Sequence, residues 1–77
     1  MKEKIYDFFE MYDEQRECCI VRIKDDYFIF DELDIANDGK IHAQKIGDEK
    51  YIYVLSQNIF EGKTNYYIIE EVYPYMR

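Results

Sequence analysis

The sequence predicts an α+β fold, with an N-terminal amphipathic helix packed on a four- to five-stranded, mainly antiparallel meander sheet. Three observations lead there. Apolar residues recur at helical spacing over 2–16, the period shortens to two from residue 18, and short Gly- or Asp-bearing turns separate the later apolar runs. With 77 residues the chain forms one small domain, 1–77, because smaller pieces could not bury enough apolar surface to fold. Hydrophobic residues at 48% and aromatic residues at 18% take it out of the disordered class despite 35% charged residues.

Ile5, Phe8, Phe9 and Tyr12 follow the i, i+3, i+4, i+7 pattern, and no Gly or Pro interrupts 2–16. On such a helix Glu3, Asp7, Glu10, Glu14 and Glu17 share the opposite face, an acidic ridge roughly 21 Å long. From residue 18 the chain reads as strands. Cys19, Val21 and Ile23 alternate with Ile20, Arg22 and Lys24, and Asp25-Asp26 breaks the run before Tyr27-Phe28-Ile29-Phe30, which makes a hairpin. A third strand is expected over 40–46, a turn at Gly47-Asp48-Glu49 and a fourth strand over 51–55. The segment SQNIFEGKTN reads as turn, with a single helical turn ended by Gly62. A last strand over 66–73 stops at Pro74, which has no backbone N–H to donate. Short connections favour antiparallel neighbours. An open sheet and an SH3-like curled barrel both fit this order of elements.

DIANDGKIH, residues 34–42, carries half the wording of a calcium loop. With Gly39 at the sixth position, Asp34 and Asp38 fall at donor positions one and five. Position three is then Ala36, and position twelve, where a bidentate Glu closes the sphere, is Lys45. The same letters make a hairpin turn, with Asp38-Gly39 as the two positive-φ residues of a type I′ turn and Ala36 facing Ile41. No metal and no cofactor is expected.

Adjacent Cys18 and Cys19 cannot staple a loop; they read as reduced thiols pointing to opposite faces of a strand. Catalytic candidates are few: one Ser, one Thr and one His, with a cysteine and His42 as the only nucleophile and base pair, set in no motif. The acid pairs Asp25-Asp26, Asp31-Glu32 and Glu70-Glu71 are sequence neighbours, so on strands their side chains diverge. The expectation is a protein that is not an enzyme.

A formal charge of −7 disfavours direct binding to nucleic acid or to an anionic membrane. No apolar stretch has the length of a signal peptide or membrane span, so the expected location is cytoplasmic. What remains is an acidic, Tyr-rich surface suited to a basic partner protein. Its expected contacts are Glu3, Asp7, Glu10, Glu14 and Glu17, joined by Asp25, Asp26, Asp31, Glu32, Asp34 and Asp38. In small size, acidity and lack of visible catalytic residues the chain is similar in character to nucleic-acid-mimicking (DNA mimic) inhibitors and anti-defence proteins of phages and mobile elements. That resemblance implies an inhibitor or regulator occupying the basic nucleic-acid-binding site of a partner. An immunity-type protein neutralising a toxin or nuclease, and an accessory or self-associating homo-oligomeric subunit, fit the same composition.

Overall fold

In the computed structural model, which describes residues 2–76, the chain is a meander of six antiparallel strands: β1 (Phe8–Asp13), β2 (Cys18–Ile23), β3 (Asp26–Phe30), β4 (Ile41–Lys45), β5 (Asp48–Phe60) and β6 (Lys63–Pro74). Each strand pairs with the next in sequence, and the sheet curls into a half-barrel. Its first and last segments meet where Ile5 N donates to Tyr67 O at 2.8 Å and Tyr67 N to Ile5 O at 2.9 Å.

The N-terminal helix is absent, so the α+β expectation is corrected to a nearly all-β fold. Two physical causes override the helical spacing. The window is rich in aromatic residues, Tyr6, Phe8, Phe9 and Tyr12, which fit a pleated, half-buried surface. Asp13 then stops the strand, since its Oδ1 accepts from Gln15 N at 3.1 Å and Arg16 N at 3.2 Å and turns the chain back into β2. The spacing itself was ambiguous, because Phe8 and Phe9 separate under the two-residue period of a strand. Phe8 turns inward, its ring edge-on to Tyr67 with centroids 5.2 Å apart, whereas Phe9 is 57% exposed on the outer face.

The β2–β3 hairpin stands as the alternation predicts, and Cys19, Val21 and Ile23 point into the core with Phe28 and Phe30. Ile41 and Ala43 of β4, Leu55 of β5 and Tyr67 of β6 complete that core, with Ile5 closing its seam. The opposite faces align into an outer row crossing every strand: Met11, Ile20, Ile29, Gln44, Ile52 and Tyr73.

Two turn assignments exchange places. At 36–40, Gly39 N donates to Ala36 O and Ala36 N to Lys40 O, both at 2.9 Å, and only Gly39 has positive φ, at 86°. Ile41 therefore bridges to Ile35 and does not face Ala36. The two positive-φ residues of a type I′ turn are instead Glu61 at 53° and Gly62 at 77°, in the segment expected to hold a helical turn. That segment is strand on both sides of the turn, so β5 and β6 project as an arm beyond β4, whose pairing with β5 ends at Leu55. Between β3 and β4 the acidic ELD forms a 3-10 turn, Glu32–Asp34, capped by Asp31.

A Glu in the left-handed region is strained, and Asn tolerates it better. Replacing Glu61 with Asn produces the preferred Asn-Gly pair, and we expect it to raise stability by about 0.5–1 kcal/mol in chemical denaturation, with an unchanged denaturant slope.

Candidate functional site

Because the strands alternate in direction, the turns sort to two ends of the half-barrel. One end gathers the β1–β2 turn (14–17), the stretch 31–40 and the β5–β6 turn (61–62). The other gathers the N-terminal segment with the β2–β3 and β4–β5 turns. Charge follows this division. The first end carries Asp13, Glu14, Glu17, Asp31, Glu32, Asp34, Asp38 and Glu61 against Arg16, Lys40 and Lys63. At the second, Glu3, Asp7, Asp25, Asp26, Asp48 and Glu49 are matched by Lys2, Lys4, Arg22, Lys24, Lys45 and Lys50. The net negative charge is thus concentrated at one end.

The expected contact residues divide accordingly. Glu3 pairs with Lys24 at 3.1 Å, Asp7 with Arg22 at 3.0 Å and Asp26 with Lys45 at 3.8 Å; with Asp25 they sit at the balanced end. Asp31, Asp34 and Asp38 lie at the acidic end, but their carboxylates accept backbone N–H bonds: Asp31 from Leu33, Asp34 from Asp31, and Asp38 from Lys40, at 2.8–3.0 Å. Three of the acids that suggested metal or partner contacts therefore hold loops in place. Among the described residues, no group of three or more metal-ligating side chains is gathered. Glu14, Glu17 and Glu32, with Glu61, make no hydrogen bond or ion pair through their carboxylates among the described residues. Glu17 and Glu32 border one hollow with Arg16, Asp31 and Leu33.

The helical ridge does not exist as a line. Asp7 and Glu10 lie three residues apart on an extended chain, so they point to opposite faces. Glu10 turns inward and becomes the polar centre of the seam between β1 and β6. Its Oε2 accepts from the Tyr67 hydroxyl at 2.6 Å, Thr64 Oγ1 at 2.7 Å and Gln57 Nε2 at 2.9 Å. Beyond the isolated Ile5–Tyr67 bridge, which precedes β1, this carboxylate joins β1 to β6 through side chains. Burial, and then the bond to the Glu10 carboxylate, push the Tyr67 hydroxyl well above its ordinary pKa.

Beside this seam a cleft of about 460 Å³ opens toward the acidic end. Its apolar wall comes from Cys19 and Val21 of β2, Phe30 of β3 and Ile41 of β4, with Tyr12 and Ile35 at the margin. Glu10, Gln57 and the Tyr67 ring form the opposite, more polar side. The Cys19 thiol is pushed up by burial, and further by Cys18, Glu10 and Glu32, so it behaves as an apolar wall and not as a thiolate nucleophile. No hydrogen bond joins either cysteine to His42, whose Nδ1 lies 3.2 Å from the Tyr73 hydroxyl on the outer face.

Reading residues 8–12 with a period of two would have placed Phe8, Glu10 and Tyr12 on one inward face and so found this site. Gln57, Thr64 and Tyr67 join it through long-range pairing, for which no local signal exists.

The fold and site together define a small six-stranded β-meander with an apolar cleft that holds one carboxylate, Glu10. In comparisons with known proteins, no family model matches the chain, and neither does any curated protein or solved structure. None of the described helices is long and apolar enough to cross a membrane.

Proposed function

We propose that the chain is a protein-binding inhibitor or regulator that presents its acidic end to a basic partner and occupies that partner's nucleic-acid-binding surface. The observation carrying this reading is the segregation of charge: eight acids face three bases at one end, where Glu14, Glu17, Glu32 and Glu61 make no ion pair among the described residues and Asp13 pairs with Arg16, while the other end is balanced and holds three ion pairs. Carboxylates free of internal bonds can meet a cationic surface without breaking anything in the fold, and a one-signed end accelerates encounter by complementary potential. The negative charge disfavours binding to nucleic acid itself, and a nucleic-acid-binding protein presents the kind of cationic surface that such an end complements.

The test is affinity capture from the native host, at low ionic strength and after phage infection, followed by competition with duplex DNA or RNA. Recovery of a basic nucleic-acid-binding protein that is displaced by nucleic acid and by rising salt is expected. Affinity unchanged between low and moderate salt overturns the reading.

One observation favours an immunity-type neutraliser of a toxin or nuclease as a second reading. The cleft holds one carboxylate, Glu10, with Tyr12 at its margin, and the remaining acids do not run in a line, an arrangement in which a few desolvated contacts dominate. Alanine scanning separates the two, since a few large losses fit the neutraliser and many small ones fit the mimic.

A further inference from the structure

We propose that the cleft at the acidic end seats an extended basic segment of the partner protein, which places an apolar side chain among Tyr12, Cys19 and Ile35, above the buried Val21, Phe30 and Ile41, and a lysine or arginine at Glu10. This rests on the protein-binding reading above and specifies its mode. The volume of about 460 Å³ falls within the range of built ligand sites, and the apolar wall with a few fixed polar groups has their usual composition. Glu10 is held in place by three donors on Oε2, while its Oε1 accepts no hydrogen bond among the described residues. A pre-positioned carboxylate oxygen beside an apolar wall suits a cation on an apolar stem.

An extended occupant reaches beyond the cleft to a neighbouring hollow at the same end, where Glu17, Asp31 and Glu32 outnumber Arg16. A chain bearing several cations satisfies both places, whereas a compact small molecule satisfies one. The backbone also offers a docking line. Among the described residues β1 pairs only with β2, so over Glu10–Asp13 its other edge has no backbone partner there, and an unpaired edge beside an apolar cleft is the template for strand addition. An added strand with alternating apolar and basic residues would send one set of side chains into the cleft and leave the other near the rim. A second copy of this chain would bring like charge to like, which disfavours it as occupant.

The probe is a heptapeptide of alternating lysine and leucine, titrated into the isotope-labelled full chain and followed by amide chemical shifts. A lysine–serine and a glutamate–leucine heptapeptide serve as controls. The lysine–leucine peptide is expected to shift Val21, Phe30 and Ile41 and to bind at least about tenfold more tightly than the lysine–serine peptide, because leucine burial adds to the charge attraction. The glutamate–leucine peptide is expected not to bind. Replacing Cys19 with Phe fills the cleft and is expected to bring the two lysine peptides to equal affinity. Should that variant fail to fold, the shift map on the unaltered chain still decides. Equal affinity of the two lysine peptides on the unaltered chain, with shifts confined to the acidic turns, overturns the cleft and leaves the protein-binding reading standing. Shifts centred on the outer row at Ile29 and Ile52, or self-association without peptide, also overturn it. Failure of both lysine peptides to bind at low salt removes this inference and the reading beneath it.

Discussion

Tyr67→Ala is expected to cost about 3–5 kcal/mol, the range for truncating a buried aromatic residue, and to leave the chain close to unfolding at 25 °C. A domain of this length has only about 4–12 kcal/mol in total, at typical stability per residue. Tyr67 is 1% exposed, and three separate connections of the seam converge on it. Its backbone bridges Ile5, its ring packs on Phe8 and its hydroxyl reaches Glu10, so truncation removes two of the three and weakens the third. Tyr67→Phe isolates the hydroxyl. A bond to a charged acceptor contributes roughly 1.5–3 kcal/mol, and the exposed Glu10 can exchange the lost donor for water while keeping Thr64 and Gln57, so a loss of about 1–2 kcal/mol is expected. Thermal denaturation should therefore show a melting point lower by about 4–16 °C for Tyr67→Phe. A cooperative transition for Tyr67→Ala near that of the parent would show that the seam does not hold the half-barrel together.

The same hydroxyl gives the alkaline behaviour a definite sign. Its pKa is raised in the folded chain, first by burial and then by the Glu10 bond, so above about pH 10 the unfolded chain releases this proton while the folded chain retains it. The stabilisation is complete below pH 10 and drains away as pH rises toward the folded value. Tyr67→Phe has no such proton, and its stability should fall less steeply above pH 10 than the parent's. Parallel alkaline limbs would mean that the hydroxyl is not held as described.

Legibility of the fold differs between the two halves of the chain for a physical reason. From Cys18 to Phe30, alternation, β-branched residues and the Asp25-Asp26 break all agree, and the hairpin forms as expected. Over 2–16 they conflict: spacing favours a helix while residue type favours a strand, and the decisive partner, β2, cannot be weighed by a local pattern. Glu61-Gly62 failed for a related reason. A Glu at positive φ is not a turn signal, so the hairpin was hidden and Asp38-Gly39 took its place. For the site, the acids themselves were visible, but their tasks were not. Asp31, Asp34 and Asp38 have the short side chains that bond nearby backbone N–H groups in turns, and a meander with many turns uses acids in this way. Part of the negative charge is therefore a by-product of turn chemistry, and only the carboxylates left without such bonds remain available to a partner.

That distinction sets the largest functional effect to be expected. Reversing Glu14, Glu17 and Glu32 together to Lys changes three carboxylates that make no internal hydrogen bond or ion pair, so each substitution should move stability by no more than about 0.5 kcal/mol. Association with the captured basic partner at low salt should slow by roughly 10- to 1,000-fold, the span that electrostatic steering covers. The opposite end supplies the control. Reversing Glu3, Asp7 and Asp25 alters the net charge by the same amount, and it breaks the pairs with Lys24 and Arg22, exposed contacts worth about 0–1 kcal/mol each. If the acidic end is what the partner meets, this second triple variant keeps most of the association rate despite its stability loss. Equal slowing in both would mean that only total charge matters, and the segregation of carboxylates to one end would then have no bearing on binding. Stopped-flow association measured at two ionic strengths distinguishes these outcomes, because the rates of parent and acidic-end variant should converge as salt screens the attraction.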